Sequence, residues 1–263
     1  MRNDYCKGMV NSASLKDCFF YKDKTFRVSI QWMNQKALPT EQYQPAYIEH
    51  IANIITHGIW IFPSILGAVE LFQRSQDRAQ FVSAVIYGLT LILLFSVSTF
   101  FHCTFYLRHY SILKELLHRC DRAMIYIFIA GSYFPWLTIE QIPNNGWASS
   151  MKWFVWVMAL MGITYQQIFH EKYKRLEMIF YLIMGIFPAI PIISEHYFAG
   201  WMEIFTGGTL YLIGTIFFKC DGVIPCAHAI WHLFVSMAAY CHYYAILNYL
   251  YPIINIRSDK LNY

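Results

Sequence analysis

Residues 80–103 read QFVSAVIYGLTLILLFSVSTFFHC and carry no Asp, Glu, Lys or Arg. About 20 apolar residues in a helix cross the roughly 30 Å of hydrocarbon in a bilayer, so this stretch alone predicts a membrane span. Six further apolar runs flank it, at 51–73, 122–141, 148–169, 175–194, 202–218 and 227–250. The run at 202–218 is the shortest. The run at 175–194 is interrupted by Pro188 and Pro191, which membrane helices tolerate when neighbours re-satisfy the freed backbone groups. Across 263 residues, 57% are hydrophobic and only 14% charged, against about 25% charged in an ordinary soluble domain. The fold expected is therefore an all-α membrane protein, a seven-transmembrane helix bundle over residues 49–251. Residues 1–48 mix Lys, Asp, Tyr and Phe without a continuous apolar core. They are expected to form a soluble, partly disordered arm, and residues 252–263 a short tail with no retention signal.

Lys and Arg set the expected direction of the spans. Fifteen of the 20 lie in the N-terminal arm and the joints on its side, and five on the other. The bias predicts a cytosolic N-terminus and a lumenal or extracellular C-terminus, opposite to a G-protein-coupled receptor. Trp153 with Trp156, and Tyr243 with Tyr244, suit interfacial belts. The net charge of +4 is small and sits between apolar runs, with no basic helix, RNA motif or zinc finger, so no nucleic-acid partner is expected. Seven scattered cysteines, an odd number, do not read as a disulfide framework.

His228 and His232 stand one helical turn apart at the start of the last run, so both imidazoles point the same way. Two imidazoles on one face inside a bilayer are costly unless something binds them, and imidazole is the commonest protein ligand for zinc. With the expected topology, His102 at the end of the second span, Ser98 one turn before it and Asp121 at the start of the third span reach the same cytosolic level. Three imidazoles and one water make a catalytic-type zinc site. Asp121 is then either a fourth ligand or the group that holds the water and takes its proton, and Ser98 a hydrogen-bond donor to the water or to a polarised carbonyl. Asp121 and Ser98 are the expected catalytic residues and His102, His228 and His232 the expected metal ligands. A site at that depth meets lipids sideways, which points to hydrolysis of an amide or ester in an amphipathic lipid. A non-enzymatic receptor or scaffold whose metal only ties helices together is the competing reading. A pore fits poorly, because few charged residues lie away from the helix ends.

Asn53, Thr56 and His57 in the first span fall toward the same end, His57 as a packing residue or a support to the site. His50, His109, His118, His170 and His196 fall in joints and read as surface residues. His242 belongs to the opposite end. The Gly207-Gly208 pair is expected to permit close helix contact.

These residues, in this order, resemble the progestin and adipoQ receptor family, which includes the adiponectin receptors and the bacterial hemolysin III group. The matching patterns are Glu49-x-x-x-Asn53-Ile54-x-Thr56-His57, Ser98-x-x-x-His102, Asp121 and His228-x-x-x-His232. Ser132-Tyr133-Phe134-Pro135-Trp136-Leu137, His170-Glu171-Lys172-Tyr173-Lys174 and Lys219-Cys220-Asp221-Gly222 make it most similar to the monocyte to macrophage differentiation factor branch. Cys103 and Arg122 depart from the receptor pattern. The resemblance implies seven helices, a cytosolic N-terminus and a zinc ion on His102, His228 and His232, with Asp121 and Ser98 in a water network. It further implies ceramidase-type activity on sphingolipid or ceramide from the receptor side. From the nearer branch it implies Golgi or late endosomal and lysosomal membranes rather than the plasma membrane, and Ras-pathway partners.

Overall fold

A computed structural model describes residues 33–37, 44–107, 111–139, 150–193 and 200–253. His109, His196, most of the N-terminal arm and the last ten residues of the tail lie outside the described residues. The order is α1 (Tyr47–Arg74), α2 (Arg78–Leu107), α3 (Ser111–Ile139), α4 (Met151–Ile168), α5 (Lys174–Ile186), α6 (Ala189–Ile193), α7 (Trp201–Phe218) and α8 (Ala227–Ala245). A π-helical turn, Ile246–Leu250, extends α8. The segments α5 and α6 are the two pieces of the fifth run, parted at Phe187 and Pro188, where proline removes a helix N–H. Among the described residues this makes seven long helical units, with α5 and α6 counted as one, and all regular structure is helical. By length and apolarity alone, α1, α2 and α7 each qualify to cross a membrane.

The first span shows why these helices need lipid. Its buried residues include Glu49, His50, Asn53, His57 and Ser64, while Ile55, Ile59, Phe62, Leu66 and Val69 are exposed. The exposed positions recur every three or four residues, so they form one apolar stripe. A soluble helix would turn that stripe inward. Here the polar stripe faces the bundle, which is where intramembrane polar groups belong.

Consecutive spans pack as neighbours, α1 on α2, α2 on α3, α3 on α4 and α7 on α8, and α1 also lies against α8, bringing the first and last spans together. Far from the histidines, Gln80 closes this arrangement. Its side-chain amide donates to the Leu250 carbonyl at 2.8 Å, and its own carbonyl accepts from the buried Tyr251 hydroxyl at 2.7 Å. Close helix contact is seen at Gly162, where an added Cβ would meet the Tyr126 ring at 2.3 Å. The glycine pair at 207–208 divides its work: a Cβ on Gly207 would lie 2.7 Å from His242, whereas one on Gly208 would meet open space.

Helix α3 begins eleven residues earlier than its apolar run suggested. The polar segment 111–121 continues the helix beyond the apolar part, so Asp121 sits well inside α3 instead of at its first turn. His118 is consequently a half-buried helical residue stacked on Phe101, with ring centroids 4.9 Å apart. His50 is also no surface residue; it is buried in α1 against Phe105.

Candidate metal centre

Two elements deliver the imidazoles to one level: the end of α2 carries His102, and the first two turns of α8 carry His228 and His232. One ring nitrogen from each of the three lies within 4.8 Å of the others. Ring centroids are 5.1 Å apart for His102 and His232, 5.4 Å for His102 and His228, and 4.7 Å for His228 and His232. Nitrogens about 2.0–2.1 Å from a tetrahedral zinc stand roughly 3.4 Å apart, so small side-chain rotations close the set. Fit is also argued by a deficit. His102 is fully buried and neither ring nitrogen has a hydrogen-bond partner among the described residues. Buried polar groups are rarely left so, and a metal ion would satisfy one of them.

The first span builds the support. Glu49 uses one oxygen to accept from the Ala46 N–H at 2.8 Å and the other to accept from the Cys226 N–H at 3.0 Å. One carboxylate thus serves the N-termini of both α1 and α8, where negative charge is favourable. Cys226 has a left-handed backbone, φ 55°, and the bond from Glu49 holds that turn so that α8 enters with His228 aimed at His102. The Thr56 hydroxyl donates to the Ala52 carbonyl at 2.8 Å and lies 3.1 Å from His232 Nδ1. With its proton committed, the hydroxyl oxygen accepts from Nδ1–H, which fixes the tautomer and leaves the His232 Nε2 lone pair for a metal. His57 stacks on His232 with centroids 3.6 Å apart and planes within 14°. It locks that ring in place from behind and is not one of the converging donors. Asn53 is fully buried beside them.

Ser98 is buried one turn from His102, and Asp121, half-buried, has His228 and Ser98 among its electrostatic neighbours. Asp121 does not join the three nitrogens within the 4.8 Å set.

Arg122, the residue after Asp121, turns away from the histidines. Its Nε donates to Glu177 Oε1 at 3.0 Å, and further contacts join it to the second oxygen of Glu177 and to Glu171. Tyr181 adds its hydroxyl to Glu177 at 2.9 Å. A second group of close donors, His118, His170 and Glu171, belongs to this network. Gln166 Nε2 can only donate, so His170 Nδ1 accepts from it at 3.0 Å, and His170 Nε2–H then points at His118 Nδ1, 3.1 Å away. Both facing nitrogens are thereby used, and Glu171 is held by Arg122 and Lys174. The group is a hydrogen-bonded relay flanked by two cations, which would repel a divalent ion. His170 lies in the α4–α5 connection. Burial, helped by Arg122, pushes its imidazole down to about 4, so it is neutral near pH 7.

The roles of Glu49, Thr56, Glu171 and Glu177 were not foreseen from sequence. Glu49, Asn53 and Thr56 recur at the spacing of one helix face, and that spacing was the available signal. Among the described cysteines, Cys103, Cys120, Cys220, Cys226 and Cys241 are free.

A family profile described as haemolysin-III related matches residues 46–243. The human monocyte to macrophage differentiation factor is 46% identical over 222 residues, covering 84% of this chain and 92% of that protein. Hemolysin-3 of Bacillus cereus is 32% identical over 210 residues, 78% of this chain and 93% of its own length. The hemolysin-3 homolog of Bacillus subtilis (strain 168) is 35% identical over 207 residues, 76% and 94%. Glu49, the three converging histidines and Asp121 all fall inside the matched region, and the chain belongs to the haemolysin-III related family of membrane proteins.

Proposed function

We propose that this chain holds a zinc ion on His102, His228 and His232, near the cytosolic face of the membrane, and hydrolyses an amide bond in a membrane lipid of the ceramide or sphingolipid type. The observation that carries the reading is the convergence of three imidazoles from α2 and α8, two buried and His228 half-buried, with Ser98 and Asp121 beside them. Three protein ligands leave one coordination position open, which distinguishes catalytic from structural zinc sites. Bound zinc would lower the pKa of a water to about 7 and polarise a carbonyl. The chain's own part is positional. His232 is fixed by Thr56 and His57, Asp121 is placed to hold a water and accept its proton, and Ser98 is placed to donate to an oxygen at the same spot. The positive charge on the N-terminal side supports a cytosolic N-terminus and a lumenal or extracellular C-terminus. Golgi or late endosomal and lysosomal membranes, and signalling through Ras-pathway proteins, are part of the same proposal and rest on resemblance to the differentiation-factor branch.

One observation favours a second reading, in which the metal is structural and the protein is a receptor or scaffold. The groups around the histidines, Glu49, Thr56 and His57, cross-link α1 to α8, and a metal would add α2 to that clamp. Asp121→Ala separates the two. Purified protein reconstituted with a ceramide should release fatty acid, and Asp121→Ala should lose at least about 100-fold of that rate with metal content and Tm unchanged. No release from any sphingolipid by the wild type leaves the structural reading standing.

A further inference from the structure

The carboxylate of Asp221 has no role in the site as described above. It lies in the α7–α8 connection, and its Oδ2 is 3.8 Å from His228 Nδ1. Its other oxygen, Oδ1, is buried without a hydrogen-bond partner among the described residues. Asp221 stays outside the group of three converging nitrogens, so it approaches one imidazole without sharing the point on which all three meet.

The turn that carries it is clamped. Gly222 has φ 71°, and its N–H donates to Asn34 Oδ1 at 3.2 Å. A Cβ on Gly222 would lie 2.4 Å from the backbone of Lys36, so only glycine allows the segment around 34–36 to lie this close. Asn34 is itself buried. Backbone bonds from Val223 and Ile224 back to the Cys220 carbonyl, at 2.9 and 3.0 Å, complete the turn. A piece of chain far away in sequence thus fixes the residue next to Asp221.

We infer that Asp221 is a positioning residue for His228: it accepts the Nδ1–H, sets the tautomer and directs Nε2 to the metal. The step from 3.8 Å to a hydrogen bond of about 2.9 Å is under 1 Å, within reach of a side-chain rotation. Thr56 stands in the corresponding relation to His232, so His228 and His232 each have an orienting oxygen. An anionic partner also raises the basicity of the imidazole it holds, and losing such a partner costs about 10- to 100-fold in metal affinity. The inference rests on the metal-site reading proposed above.

The test is zinc affinity of the purified full chain in detergent, measured by competition with a chromogenic chelator, alongside the Tm of the metal-free protein. Asp221→Ala should weaken zinc binding about 10- to 100-fold and leave the metal-free Tm where it is. Asp221→Asn, which keeps an acceptor oxygen without the charge, should weaken it less and serves as the comparison if the alanine variant does not fold. In His228→Ala, adding Asp221→Ala should cost nothing more. Asp221→Ala binding zinc as tightly as the wild type overturns the inference and leaves the metal site standing. A matching fall in metal-free Tm also overturns it, because the residue is then structural. A wild-type chain that takes up no zinc overturns the site and the inference together.

Discussion

Glu177→Gln should destabilise the chain far more than the loss of one charge at a surface would. Arg122 is 12% exposed and Glu177 4%, so their pair is nearly dry. Two unit charges about 4 Å apart interact by about 4 kcal/mol at an effective dielectric of 20, and removing one partner of a buried pair typically costs about 3–5 kcal/mol. Glu171 remains beside Arg122, but it is shared with Lys174, so the remaining carboxylate faces two cations. The expected cost is about 2–4 kcal/mol. At roughly 2–4 °C per kcal/mol for a chain of this size, Tm should fall by about 5–15 °C, read by tryptophan fluorescence during heating in detergent. The double variant Arg122→Met/Glu177→Leu removes the charge and its partner together and should recover most of the loss, because replacing a buried pair with apolar groups is near neutral. A Glu177→Gln Tm within 2 °C of the wild type, or a double variant as unstable as the single one, would refute the reasoning.

Thr56→Val, which keeps the shape and removes the hydroxyl that holds His232 Nδ1, should lower zinc affinity about 10- to 100-fold, and Thr56→Ser should restore it; chelator competition reads both. His170 has a depressed imidazole, about 4 against an ordinary 6.5, so the unfolded chain takes up a proton that the folded chain refuses as pH falls through that window. Thermal stability should therefore be flat above pH 6.5, decline between 6.5 and 4, and decline less in His170→Gln; a Tm profile against pH identical in the two chains counts against the relay. Gly162→Ala places a methyl 2.3 Å from the Tyr126 ring, which should cost about 1–3 kcal/mol in overpacking, whereas Gly208→Ala, with nothing within 4 Å, should leave Tm unchanged.

Hydropathy made the spans legible, because seven runs of that length have no other use. The number of helices and the residues at their centres followed from it. What hydropathy could not show was how far a helix continues into a polar end, and α3 is the case in point. Segment 111–121 is charged and nevertheless helical, since Arg122, His118 and Glu115 all find partners along or across it. The same blindness made His118 a surface residue on paper. The meeting of His102, His228 and His232 was readable, because alternating spans return to the same side and one helical turn sets the rest. The groups that support them were harder to see. Glu49 acts on a backbone N–H at position 226, and Gly222 makes room for Lys36. Such contacts join residues with nothing between them but tertiary packing, and a backbone acceptor leaves no mark on sequence. Arg122 looked like a departure from the receptor pattern. Its guanidinium instead leaves the site for Glu171 and Glu177, a direction that spacing alone does not encode.

The most direct test of the central claim is the zinc content of the purified chain, by mass spectrometry of the metal, for the wild type and for His102→Ala, His228→Ala and His232→Ala separately. One zinc per chain in the wild type and a loss in each of the three variants is the predicted result, with His170→Ala still holding its zinc. Zinc absent from the wild type, or retained when His102 is replaced, would contradict the account.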